Sequence, residues 1–312
     1  PESSSFKNQQ TARQFVQRFK LTCATQENCP SSVGALLKVE GVHVHRCTTF
    51  LVDGDLAYTN RHCLQKAKSP HLNCSDTFVV FPRSGRYLES RARCESIVKS
   101  DEDWKKRYPQ FPLHVLPDFV LMKLDKKIDR PGLKLKPIAR QQGQALSIAH
   151  VDFEDQEGIL NSTSCEVTTK TLSRYSSSDT SPLIRLKSCS LKKGNSGAPV
   201  FDSRGEVAGI LMGIGNGDIP EIKKLMSKLG IQEVNPFGMA VSSACLLDQT
   251  EGCDYQKPLD QADLFNSSRT VVENKFAEFK SQPQKVFGWS LKFEDLISSK
   301  EIPKNNDALS RA

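Results

Sequence analysis

The sequence lacks any long apolar run: nowhere in its 312 residues does a hydrophobic stretch approach the roughly 18 residues a membrane-spanning helix needs. It also lacks zinc-finger spacing, a phosphate-binding loop and any interleaving of arginine with aromatics, which excludes nucleic acid as an expected partner. None of its ten cysteines forms a Cys-x-x-Cys pair, so zinc and thioredoxin-type redox sites are disfavoured, and neither metal nor cofactor is expected. Methionine is absent from the first position and no signal-peptide core follows it, as expected of a processed or trimmed chain. Histidine is absent beyond His150, a gap that later restricts the order of any catalytic set.

What is present is ordinary for a globular protein, with 38% hydrophobic and 25% charged residues. The net charge of +7 comes from lysines and arginines scattered among acids, a pattern of solubility rather than of a binding stripe. The cysteines are even in number and fall, in chain order, into neighbours: Cys23 with Cys29, Cys47 with Cys63, Cys74 with Cys94, Cys165 with Cys189, Cys245 with Cys253. We expect them as disulfides, in a secreted or periplasmic setting, although spacing alone leaves the connectivity open.

Short apolar or alternating runs separated by turn residues dominate the middle of the chain. Strands are expected at Val33–Val39, Thr48–Val52, Leu56–Asn60, Thr77–Phe81, Tyr87–Ser90, Phe119–Leu124 and Leu133–Ile138. Further strands are expected at Leu146–Val151, Ser164–Thr169, Leu183–Leu186, Ala198–Phe201, Val207–Gly213 and Gly238–Val241. Such spacing predicts an all-β antiparallel sandwich or barrel, divided near Lys126–Pro131. Residues 1–32 read as an extension with Phe15, Phe19 and Leu21 on one side of a short helix. Helices are also expected at Pro220–Leu229 and, in an extension over 249–312, at Thr270–Lys280.

One serine stands out. In Gly194-Asn195-Ser196-Gly197-Ala198-Pro199 it lies between glycines, just before an apolar strand. Such a turn lifts a hydroxyl out of the backbone beside free N–H groups, as acyl transfer requires. Taken alone, the segment is an ordinary glycine-serine turn; a nucleophile also needs a base and an orienting acid. The best base is His62, which precedes Cys63 at the end of a hairpin turning at Asp53-Gly54. His43 and His45 alternate on a strand without a third ligand nearby, His71 and His114 lie in polar loops, and His150 reads as a core or edge residue. Asp118 opens the apolar run Phe119–Leu124, where a buried carboxylate can fix an imidazole tautomer. Because no histidine follows Ser196, a histidine-last order is excluded.

Together these segments resemble the chymotrypsin/trypsin-like serine protease family. The family's Thr-Ala-Ala-His-Cys stands here as Thr59-Asn60-Arg61-His62-Cys63, with Cys47 matching its cysteine on the preceding strand. Its Asp-Ile-Ala-Leu-Leu-Lys-Leu stands as Asp118–Leu124, and its Gly-Asp-Ser-Gly-Gly-Pro as Gly194–Pro199. The resemblance spans about Val33 to Ala244. It implies two six-stranded antiparallel β-barrels, over 33–130 and 131–248, flanked by helical extensions. It further implies a serine endopeptidase of polypeptide substrates, with Ser196 as nucleophile, His62 as base, Asp118 as orienting acid and the N–H groups of Gly194 and Ser196 as oxyanion hole. An inactive homologue serving as a binding module is the competing reading.

The chain departs from the family pattern in two places. Asn195 replaces the aspartate that, in digestive and clotting members, pairs with a new terminal amine, so activation by that route is not expected. Lys192 stands where the family has a cysteine four residues before the serine, so the specificity pocket is rebuilt. At face value its floor is Ser190, with Lys193, Gly213, Ile214 and Gly215 around it.

Overall fold

The structure is a computed structural model that describes residues 2–26, 29–65, 72–100, 118–139, 141–168, 183–215, 237–248 and 253. Three N-terminal elements come first: β1 (Glu2–Ser5), α1 (Gln9–Arg18) and β2 (Lys20–Cys23). Six strands follow, β3 (Val33–Glu40), β4 (His43–Asp53), β5 (Leu56–Thr59), β6 (Thr77–Phe81), β7 (Ser90–Ser100) and β8 (Val120–Leu124). They pair in the order β4-β3-β6-β7-β8-β5 and close through β4–β5. The second set is β9 (Ala145–Glu154), β10 (Glu157–Val167), β11 (Leu183–Lys187), β12 (Pro199–Phe201), β13 (Val207–Gly215) and β14 (Phe237–Ser242). Its order is β11-β14-β13-β12-β9-β10, closed through β10–β11. Each set is therefore a closed six-stranded antiparallel barrel, the expected fold class. Closure removes most of the unpaired edges that open sheets must protect, leaving one at His43–Arg46, where β4 outruns its pairing with β5.

Each barrel is filled by its own inward-facing side chains. Leu36, Leu51, Val79, Val120 and Met122 pack in the first, and Ile148, Ile184, Val200, Leu211 and Ala240 in the second. A third cluster joins the barrels: Phe50, Tyr58, Val80 and Phe119 meet Val151, Ile210 and Val241, together with Phe15 and Phe19 from the N-terminal segment. The Tyr58 hydroxyl also donates to Leu246 O (3.4 Å), in a short helix α3 (Ser243–Leu246) that follows the second barrel.

The N-terminal segment straps both barrels. Strand β1 adds to β4, and β2 adds to β10 in parallel. Between them α1 begins at Asn8, whose side chain accepts from Thr11 N–H (2.9 Å), and buries Ala12, Phe15 and Val16 at helical spacing. Arg91 donates to the carbonyls of Val16 (3.0 Å) and Gln17 (3.2 Å), partnering orphan groups of the last turn.

Several expectations need correction. The helix stops at Arg18; Phe19 has ψ 132° and Leu21 lies in β2, so the three apolar side chains do not share one helical face. Tyr87–Ser90 is not a strand: Tyr87 bridges Ser84 across a turn, and the strand runs from Ser90 to Ser100. The alternation of Arg91, Ala92, Arg93 and Cys94 concealed it behind charge. Among the described residues Leu133–Ile138 makes a single bridge, Leu135 to Val207, and Pro131 ahead of it and Pro137 within it cannot donate to a ladder. The helices expected at Pro220–Leu229 and Thr270–Lys280 lie outside the described residues.

Candidate active site

His62 sits in a single helical turn, α2 (Arg61–Leu64), at the end of β5. Three tethers hold that turn. Cys63 bonds Cys47 on β4, with Cα atoms 6.2 Å apart. The buried Lys38 ammonium donates to the carbonyls of Leu64 and Asn73, the latter at 3.0 Å. The Asn60 amide, at the head of the turn, donates to Asp118 O (2.5 Å).

Asp118 engages His62 twice. One carboxylate oxygen accepts the His62 main-chain N–H (3.0 Å) and the other meets Nδ1. An ionised carboxylate can only accept, so Nδ1 carries the hydrogen and the Nε2 lone pair is left for another partner. Burial pushes the Asp118 carboxyl upward, but the charge and hydrogen bonds of His62, aided by Arg61, outweigh it and hold its pKa below the usual value.

Ser196 lies on the loop leading into β12. Two positive-φ glycines shape this loop, Gly194 at +95° and Gly197 at +89°. At Gly197 a side chain would also collide, its Cβ falling 2.1 Å from Thr48 O and 2.5 Å from Thr59 Oγ1. The loop thus rests directly on β4 and β5 of the first barrel. Thr48 N–H donates to Ser196 O (2.8 Å) and Thr48 Oγ1 to Gly194 O (3.3 Å). Among the described residues no internal hydrogen bond uses the N–H of Gly194 or of Ser196, and none joins Ser196 Oγ to His62. His62 and Asp118 are thus in contact, and the loop that carries Ser196 is bonded to the first barrel at Thr48.

Asn195 is fully buried, and its side chain is satisfied by main-chain groups and one carboxylate. Its carbonyl oxygen accepts Lys192 N–H (2.6 Å), and its amide donates to Val151 O (2.9 Å), with Asp152 at 3.4 Å. His150 is buried behind the same loop, 3.4 Å from Asp152. Burial lowers its pKa, with Lys192 assisting and Asp152 opposing. Ser190 and Lys193 are exposed on the loop between β11 and β12. Gly213, Ile214 and Gly215 lie on β13, where the ladder slips between Leu211 and Gly213, and a side chain at 213 would meet open space.

The other cysteines pair as their order anticipated, with Cα separations of 5.7 Å (Cys23–Cys29), 5.3 Å (Cys74–Cys94), 4.9 Å (Cys165–Cys189) and 5.1 Å (Cys245–Cys253). These separations fit disulfides. Cys47, His62 and Cys63 place potential ligand atoms within 4.8 Å of one another, but the sulfurs are joined and offer no thiolate. Residue-level reading missed Thr48, Lys38 and Asn60. The buried Thr48-Thr49 pair directly after Cys47 was the available signal.

The profile of a trypsin-like peptidase domain matches residues 47–210, from the cysteine of β4 into β13. The chain belongs to this family. This trypsin-like peptidase is a hydrolase, and its substrates are polypeptides. Solved structures similar to it include the VesB protease of Vibrio cholerae, at 17% identity and TM-score 0.49, covering 73% of this chain and 64% of that one. A Glu endopeptidase is similar at 14% identity and TM-score 0.47, covering 79% and 93%. The Rv3671c protease of M. tuberculosis, in an inactive form, is similar at 15% identity and TM-score 0.44, covering 72% and 89%. No curated relative matches the chain.

Proposed function

We propose that the chain is a serine endopeptidase that acts through Ser196, His62 and Asp118 by way of an acyl-enzyme. The observation that carries this reading is the doubly engaged His62–Asp118 pair, which leaves Nε2 open. Ser196 Oγ attacks the scissile carbonyl while Nε2 takes its proton. The carbon–nitrogen bond then breaks, the imidazolium returns the proton to the leaving amine, and water releases the acyl group by the same steps. The N–H groups of Gly194 and Ser196 stabilise the developing oxyanion, roughly 3 kcal/mol for each such donor. Asp118 keeps the imidazole in its Nδ1–H form and balances the charge it acquires.

Asn195 supports a loop that holds its shape without a terminal ammonium, so we assign no role to a charge pair at that position. The proposed specificity pocket has Ser190 at its floor, with Lys193, Gly213, Ile214 and Gly215 around it. The proposed division is 1–32 for an N-terminal extension, 33–130 and 131–248 for the barrels, and 249–312 for a C-terminal extension. Five cysteine pairs support a secreted or periplasmic setting. Labelling with a fluorophosphonate tests the nucleophile: one adduct on the wild type, mapped to Ser196, and none on Ser196→Ala is expected. Equal labelling of both, or an adduct on another residue, would remove the assignment.

A further inference from the structure

Strand β1 occupies a particular edge. Between His43 and Arg46, β4 pairs with β3 on one side and with β1 on the other, Glu2 opposite Arg46 and Ser5 opposite His43. The next residues of β4 are Cys47, bonded beside His62, and Thr48, which holds the Ser196 loop. The end of β1 nearest the active site is therefore its N-terminal end. A side chain placed at Gly194 would meet the Phe153 ring at 2.7 Å and a Glu2 carboxylate oxygen at 3.2 Å.

Polarity gives this placement a meaning. When a peptide bond is cut, the leaving half of the substrate runs from its new amino end at the catalytic serine outward. Strand β1 has that direction, starting at the oxyanion glycine and running away along β4. Added strands bind mainly through main-chain hydrogen bonds, which any extended peptide can supply.

The grip on β1 is also of a replaceable kind. Glu2–Ser5 carries no apolar side chain, and its residues alternate between half-buried and exposed. Its anchors are polar: Arg46 to Glu2 (3.1 Å) and to Ser4 Oγ (2.5 Å), and Ser5 to His43 (2.9 Å). Arg46 lies over the Phe153 ring at 5.5 Å, and its side chain is only 6% exposed. If β1 left, Arg46 would lose its carboxylate partner, and an incoming peptide would best restore it with an acidic side chain in the place of Glu2.

We infer that the β4 edge at His43–Arg46 docks the leaving half of the polypeptide substrate, with a preference for an acidic residue at Arg46, and that β1 holds this edge in cis. The inference rests on the proposed role of Ser196. A substrate extended on the leaving side must displace β1; one with a small leaving group need not.

The test compares the full chain with a form lacking residues 1–5 and with Ser4→Pro, which breaks strand pairing should the shortened form fold poorly. Two substrates are used: a peptide anilide, and an internally quenched peptide with five residues, one acidic, beyond the cleaved bond. If β1 leaves the edge free about one-tenth of the time, KM for the extended peptide falls about tenfold in both variants. Turnover of the anilide stays the same. An unchanged KM for the extended peptide in a variant that melts like the wild type would overturn the inference, as would an equal loss of kcat on both substrates, which would make β1 a brace. A fluorescein-labelled Glu-Ser-Ser-Ser-Phe-Lys peptide reads the edge without chemistry, in a form that lacks residues 1–5 and carries Ser196→Ala. Binding there, absent in the full-length Ser196→Ala chain, supports the docking edge even if no form cleaves any substrate. No binding to the shortened form contradicts it.

Discussion

The two barrels hold the groups proposed for catalysis by different physical means. In the first, side chains and a covalent bridge do the holding: Cys47–Cys63, the Lys38 ammonium and the Asp118 carboxylate fix the turn that bears His62. In the second, the backbone does it. Ser196 stands on a loop whose shape comes from two positive-φ glycines and the buried Asn195 amide. For the proposed base, anchoring by a carboxylate keeps its charge environment. For the proposed nucleophile, anchoring by the loop backbone keeps N–H groups free beside it. Thr48 couples the two solutions, donating from the first barrel to the carbonyls of Ser196 and Gly194.

The contrast can be broken from either side. Asp118→Asn removes the charge while keeping the shape, and should cost roughly 10⁴-fold in kcat, with the melting temperature changed far less. A loss below about tenfold would mean that charge is not what holds His62 ready. Removing the Cys47–Cys63 bridge with paired alanines should lower stability by about 3 kcal/mol, given the 16-residue separation. That loss should be larger than for the pair Cys23–Cys29, which closes only six residues. Equal losses in denaturant unfolding would contradict a special clamp in the first barrel.

On the second-barrel side, Gly197→Ala must push the loop off Thr48 O, since its Cβ would lie 2.1 Å away and φ is +89°. Displacing Ser196 by about an ångström should cost on the order of 100-fold in kcat/KM. Gly205→Ala, also at positive φ but with open space around it, is the control and should leave activity within about twofold. The smallest effect is on pH dependence. Asp118 has a folded pKa below its usual 3.8. The stability its ionised form contributes is present above 3.8 and lost as pH falls through the lower folded value. The melting difference between wild type and Asp118→Asn should thus persist down to about pH 4 and shrink below it. A difference that shrinks already between pH 7 and 5 would place the charge elsewhere.

The fold class and the peptidase family were legible in the sequence, and the His62–Asp118 contact joins two of the three residues that local patterns singled out. Those patterns are short: a histidine before a cysteine, an acid opening an apolar strand, a serine between glycines. The closed barrels were legible in outline from many short strands with turn residues between them. What escaped depends on partners far along the chain. The polar residues Glu2–Ser5 have no strand pattern of their own and become β1 only because β4 offers an edge. Strand β2 pairs in parallel with β10, over 130 positions away, which no local periodicity announces. Thr48 looks like any buried strand threonine until the Ser196 loop is laid across it. The partners of Asn195, Val151 and Asp152, come from a different hairpin of the same barrel.

The central claim is that groups from both barrels act as one catalytic unit, and a double-mutant cycle between His62→Ala and Ser196→Ala on kcat/KM tests it most directly. Each single change should cost roughly 10⁴–10⁶-fold, and the double variant should be no worse than either alone. Losses that multiply would show two independent contributions and contradict the account.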